Sequence, residues 1–151
     1  MPAMTDNVSQ APAAAAVVIT STLRPSLLAA VRSVFRQELD GRIHLLIGVD
    51  VAQGPRSVLD AIRGEVPPHV MLTVIDLGYS TAARNGGLHP NMFGGALPAL
   101  ASYAASSRYV AYLDDDDWWA RGHLAALLQA IDGKQWAFAP RWLVDPQTLW
   151  Q

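Results

Sequence analysis

The chain has 151 residues, enough for one domain that buries about 68–70% of its unfolded surface. Hydrophobic residues make up 51% and charged residues 16%, with a formal net charge of -2, a balance that excludes intrinsic disorder and offers no basic excess for nucleic acid. Cysteine is absent, which excludes disulfides and thiolate metal sites, and His44, His69, His89 and His123 show no paired zinc-ligand spacing.

The apolar run Ala13 to Ile19 is too short to span a bilayer, so no transmembrane segment is expected. The leading residues carry Asp6 and no basic side chain, against a signal peptide. The expected location is cytoplasmic, with peripheral attachment to the inner membrane face as a variant.

Residues 1–14, rich in Ala, Pro and small polar side chains, read as a mobile tail, and 15–151 as one domain. Ala16 to Ile19 is a buried strand surfacing into Thr20-Ser21-Thr22. Pro25 suits a first helical turn; Leu27, Leu28, Val31, Val34 and Phe35 follow at helical spacing, with Gly41 beyond the end. Ile43 to Val49 is a second strand with Asp50 at its exit. A helix over Arg56 to Arg63 ends before Gly64 and Pro67-Pro68. Val70 to Ile75 is a third strand, leaving through Asp76. The segment 78–90 holds Arg84, suited to a phosphate or an acidic site as well as to a surface ion pair, and His89, which is more often structural than catalytic. A helix over Gly94 to Ser107 tolerates Pro98 only in its first turn. Arg108 to Leu113 is a fourth strand. After the acidic run that follows it, Ala120 to Ile131 has helical period and Gly133 ends it. Trp136 to Phe138 and Arg141 to Val144 read as two more strands. The five tryptophans, all in the last third, suit core or interface packing, with stacking on a base or sugar the alternative left most open for Trp118 and Trp119.

Alternation of strand and helix predicts an α/β fold with a mostly parallel open sheet and helices on both faces. Ligands bind such sheets outside the carboxyl ends of the strands, and Thr20, Asp50, Asp76 and Asp114 all fall at predicted carboxyl ends. Asp114 to Asp117 is the densest feature of the chain. Neighbouring carboxylates at about 4 Å repel by roughly 1 kcal/mol even in water, so four need a counter-charge. A hard divalent cation shared with a nucleotide phosphate would supply it. The alternative is a solvated helix cap with Asp117 as N-cap. No Walker-type phosphate loop, dinucleotide fingerprint or nucleophile elbow occurs.

Five blocks then carry a resemblance: Val17 to Pro25, Ser33 to Gln37, Val49-Asp50, Ala83 to Gly87, and Tyr112 to Trp119. In this order, from about residue 16 to about 132, they resemble the nucleotide-sugar-binding half of family 2 glycosyltransferases, which have the Rossmann-like GT-A fold. The resemblance implies a metal-dependent, inverting transferase that uses a nucleoside-diphosphate sugar of the UDP or GDP type, with Mg²⁺ or Mn²⁺ as cofactor. It implies that Thr20 and Asp50 border the base and ribose, that Arg84 lies near the nucleotide, and that Asp114 and Asp115 contact the nucleotide-sugar. Asp116 and Asp114, the ends of an Asp-x-Asp motif, would hold the metal.

Three departures stand out. Val51 replaces an acid that often follows the Asp50 position, the stretch from Arg84 to Asp114 is long, and the acceptor half with its general base is missing after Gln151. Asp132 and Asp145 are the only carboxylates after the run, neither in a base motif, so the catalytic residue is unassigned and the acceptor unknown. The expectation is a donor-binding domain, inactive or weak alone, whose exposed apolar surface makes a homodimer plausible. The rival readings are a non-catalytic nucleotide- or partner-binding module and a nucleotidyltransferase.

Overall fold

A computed structural model describes residues 11–81 and 96–144. The elements in chain order are β1 (Ala15–Ser21), α1 (Leu27–Phe35), β2 (Ile43–Val49), α2 (Ser57–Glu65), β3 (Val70–Asp76), α3 (Leu97–Ala104), β4 (Val110–Tyr112) and α4 (His123–Ala130). Every strand pair is parallel, and the order across the sheet is β3-β2-β1-β4. This is the expected α/β, Rossmann-like arrangement. The chain steps from β1 to β2 to β3 in one direction and then returns to place β4 on the other side of β1. The order therefore reverses between β1 and β4, and a crevice opens there at the carboxyl ends of the strands.

A parallel sheet covered on both faces needs apolar side chains in both directions, and β1 and β2 provide them. Ala15, Val17 and Ile19 of β1 join Ile43, Leu45, Ile47 and Val49 of β2 on one face, where they meet Leu27, Val31 and Val34 of α1, Leu59 and Ile62 of α2, and Leu124 of α4. Ala16, Val18 and Leu46 point the other way and pack on Ala101 of α3. A Cβ at Gly48 would lie 3.2 Å from Leu97 Cβ, so glycine there sets how closely α3 approaches the sheet. Pro98 stands in the first turn of α3, as its missing N–H requires.

His44 is the polar exception inside β2. Its Nδ1 accepts the Ser106 N–H at 2.9 Å, which leaves the proton on Nε2 to donate to Thr73 Oγ1 at 2.9 Å. The ring thus ties the exit of α3 to β2 and β3. Burial lowers its pKa from the ordinary histidine value.

Ordered pairing begins before β1. Ala13 bridges to Ser107, and the N–H of Ala14 donates to Arg42 O at 2.8 Å, so part of the segment expected to be a tail lies on the sheet.

The two strands expected at 136–138 and 141–144 are not formed. Trp136, Phe138, Trp142 and Leu143 are exposed, and the Trp136 and Phe138 rings stack on each other at 5.6 Å. Aromatic strand preference expresses packing on a neighbouring strand, and among the described residues no strand pairs with this stretch. Between the free edge of β4 and α4 runs an apolar groove of about 290 Å³, lined by Tyr109, Ala111, Leu127, Leu128, Ile131 and Phe138 among others. Among the described residues no helix is long and apolar enough to cross a membrane.

Candidate functional site

The carboxyl ends of β2, β1 and β4 bound a cleft of about 620 Å³ at the point where strand order reverses. Thr20, Ser21, Thr22 and Arg24 line it from the end of β1, Asp50 and Gln53 from β2, and Asp114, Asp115 and Asp116 from β4. Three of the four strand-end residues read from the sequence, Thr20, Asp50 and Asp114, therefore meet in one place. Asp76 does not. Its carboxylate is taken by Arg56 at 2.6 Å and by the Gly78 N–H at 3.0 Å, and the guanidinium first and the amide second hold its pKa below the usual carboxylate range.

The two loops that form the cleft floor are folded against each other. The N–H groups of Gln53 and Gly54 donate to Thr22 O at 2.8 and 3.0 Å. Leu23 and Val51 both adopt the left-handed region, with φ of 65° and 50°, which is uncommon outside glycine and adverse for a β-branched side chain. Asp50 is fixed at both ends: its N–H donates to Ser21 O at 2.9 Å, and its Oδ1 accepts the Thr81 N–H at 3.0 Å.

The acidic run forms a turn in which the Asp117 N–H donates to Asp114 O at 3.1 Å. Within that turn the four carboxylates differ sharply. Asp115 is only 3% exposed; its Oδ2 accepts the Ser21 hydroxyl at 2.5 Å and Arg24 Nε at 3.2 Å, while Oδ1 pairs with Arg24 Nη2. Asp114 and Asp116 are exposed and face the cleft, with Asp116 Oδ2 at 3.3 Å from Arg24 Nη1. Asp117 pairs more loosely with Arg141, at 3.7 Å. The Asp115 hydrogen bond is the main reason the Arg24 guanidinium is held above its ordinary pKa. Part of the counter-charge that the run requires thus comes from the protein itself.

Beyond the run, α1 and the residues just after it grip the chain through side chains. Ser33 Oγ accepts the Trp119 N–H at 3.1 Å, Gln37 Nε2 donates to Ala120 O at 2.7 Å, and Gln37 Oε1 accepts the Leu124 N–H at 2.8 Å. The Ser33 to Gln37 block therefore earns its place in the sequence pattern by fastening the exit of the acidic turn. Asp117 is not a helix cap, because α4 starts six residues later, with Gly122 at its N-cap. Trp119 packs on the core and stacks on His123 at 4.8 Å, whereas Trp118 is about half exposed.

Arg84, His89 and Asp145 lie outside the described residues, and Asp132 follows α4 without lining the cleft. Sequence reasoning gave no role to Ser21, Arg24 or Gln37. All three stand inside the Val17 to Pro25 and Ser33 to Gln37 blocks, which was the signal that could have found them.

The exposed oxygens of Asp114 and Asp116 are the donor type that Mg²⁺ or Mn²⁺ prefers. Among the described residues no three His, Asp or Glu side chains converge to form a complete cage. The donor set fits a cation that draws the rest of its shell from phosphate and water, the usual mode for Mg²⁺.

No protein-family model matches the chain, and no curated protein matches it. Among solved structures it is similar to TarS of S. aureus, at 15% identity and a TM-score of 0.62 over 80% of this chain and 20% of that one. It is likewise similar to TarS 1-349 in complex with UDP (15% identity, TM-score 0.60, covering 80% and 32% of the two chains) and with UDP-GlcNAc (14%, 0.61, 80% and 31%). The chain thus spans a third or less of these structures, and the likeness shows that the fold is shared.

Proposed function

We propose that this chain is the donor-binding domain of a metal-dependent, inverting glycosyltransferase that uses a nucleoside-diphosphate sugar. The observation that carries this reading is the cleft itself: Thr20, Asp50 and the Asp114 to Asp116 turn converge at the strand-order reversal of an α/β sheet. Support comes from the TarS structures of similar fold, which were solved with UDP and with UDP-GlcNAc, and from the glycosyltransferase-like order of the sequence blocks.

In this reading Thr20 and Asp50 border the base and ribose, with Asp50 held ready by Thr81. Asp114 and Asp116 face the diphosphate and hold Mg²⁺ or Mn²⁺. Asp115 serves the nucleotide-sugar from beneath, by fixing Arg24 and the turn. Arg84 retains its assignment near the nucleotide. A divalent cation bound here supplies Lewis-acid stabilisation of the charge that grows on the departing nucleoside diphosphate.

Calorimetric titration with UDP and GDP, with and without Mn²⁺, tests the reading. Mn²⁺-dependent binding of one nucleotide, lost in Asp116→Ala, is expected. A folded chain that binds neither nucleotide under any of these conditions would refute it.

A further inference from the structure

All three nitrogens of the Arg24 guanidinium are directed at the acidic turn. Nε and Nη2 fork onto the two oxygens of Asp115, and Nη1 reaches Asp116 Oδ2 at 3.3 Å. The two contacts are unlike. The Asp115 side chain is 4% exposed and shares its carboxylate with Ser21, whereas the Asp116 side chain is 56% exposed and holds Arg24 through one long contact. A buried carboxylate left without its cation is strongly disfavoured, so the fork is permanent. An exposed single contact is worth little and is readily exchanged for a stronger cation.

Charge points the same way. Among the described residues, four carboxylates stand against the guanidinium groups of Arg24 and Arg141, which leaves a balance of two negative charges there, the charge of one divalent cation. Arg24 itself is locked from behind. Ser21 Oγ accepts the Leu23 N–H at 2.9 Å while donating to Asp115, so one hydroxyl couples the backbone before Arg24 to the carboxylate that Arg24 grips.

We propose that Arg24 is a positioning residue for the cation site: it clamps Asp115 at all times and holds the Asp116 carboxylate towards the cleft until a divalent cation and a diphosphate take that carboxylate over. This inference rests on reading the cleft as a nucleoside-diphosphate-sugar site. Lysine cannot replace arginine in this role, because one ammonium group cannot fork onto Asp115 and reach Asp116 together.

The test compares UDP affinity with and without Mn²⁺ for the wild-type chain, Arg24→Lys, and the double variant Arg24→Gln/Asp115→Asn, which replaces the buried ion pair by a neutral amide pair. Thermal unfolding of each is recorded alongside. The expected result is that both variants fold, that the gain in UDP affinity on adding Mn²⁺ shrinks at least about tenfold in each, and that metal-free UDP affinity changes less than about threefold in Arg24→Lys, which leaves Asp115 unaltered. A merely structural role would lower both affinities of Arg24→Lys together, and that outcome overturns the proposal, as do wild-type affinities in the double variant or failure of that variant to fold. If the wild-type chain binds no UDP with Mn²⁺, the reading of the cleft and this inference fall together; if the wild type binds and only the variants disagree, the Arg24 assignment alone falls.

Discussion

Gly54 lies against Leu23 so closely that a Cβ built on it would stand 1.8 Å from the Leu23 carbonyl oxygen. Nothing in that contact can yield cheaply, because the neighbour is backbone and the Leu23 side chain is fully buried. Gly54→Ala is expected to push the two floor loops apart and cost about 1–3 kcal/mol. Urea denaturation would measure the loss, and a midpoint equal to that of the wild type would contradict it.

Val51 makes the opposite case. It is 43% exposed, so little packing is lost on truncation, yet its backbone sits at φ 50°. Relief of the left-handed strain, set against the greater freedom of glycine in the unfolded chain, predicts that Val51→Gly gains roughly 0.5–1 kcal/mol. Thermal unfolding should show a raised midpoint.

Gln37 is buried, and its amide serves Ser33 O, Ala120 O and the Leu124 N–H. Gln37→Met keeps most of the volume and leaves those backbone groups unpaired, at a cost of roughly 1–3 kcal/mol. The acidic turn should loosen with it. Hydrogen exchange at Leu124 is the readout, and unchanged protection there would show that the amide does not hold the segment.

His44 and His123 both have pKa values lowered by burial. The folded state therefore binds fewer protons than the unfolded state once the pH falls below the ordinary histidine value of about 6.5. The stabilisation is fully present above that value and is lost progressively as the pH drops towards the folded-state values. Protonation of His44 Nδ1 would also break its bond from Ser106. Denaturation midpoints should fall between about pH 7.5 and about pH 5.5, and His44→Gln should flatten that slope without abolishing it, because His123 remains.

The sheet was legible because β1 and β2 are apolar on both faces, which only a covered parallel strand demands, and because Thr20, Asp50 and Asp114 interrupt apolar runs where the chain surfaces. The last third was misread for a related reason. Trp136, Phe138, Trp142 and Leu143 have strand-like composition, but a strand exists only in a pair, and composition cannot report that no strand among the described residues pairs with them. Within the cleft, the carboxylates announced themselves by density, but their division of labour did not. That Asp115 is buried while Asp114 and Asp116 face the cleft depends on Ser21 and Arg24, which are more than ninety positions away in the chain. The grip of Ser33 and Gln37 on the turn's exit is equally remote, at 86 and 87 positions for the Trp119 and Leu124 contacts.

The strand order has a metric consequence. Asp50 leaves β2 and Asp114 follows β4, with β1 alone between them. Adjacent strands are spaced at about 4.8 Å, so the two carboxylate-bearing walls stand roughly 10 Å apart across the sheet. The cleft is in effect a ruler. The backbone separation is set by the hydrogen-bonded ladder, and the side chains of Asp50 and Asp114 reach into the cleft from its two sides, so an extended molecule is better matched to both than a compact one.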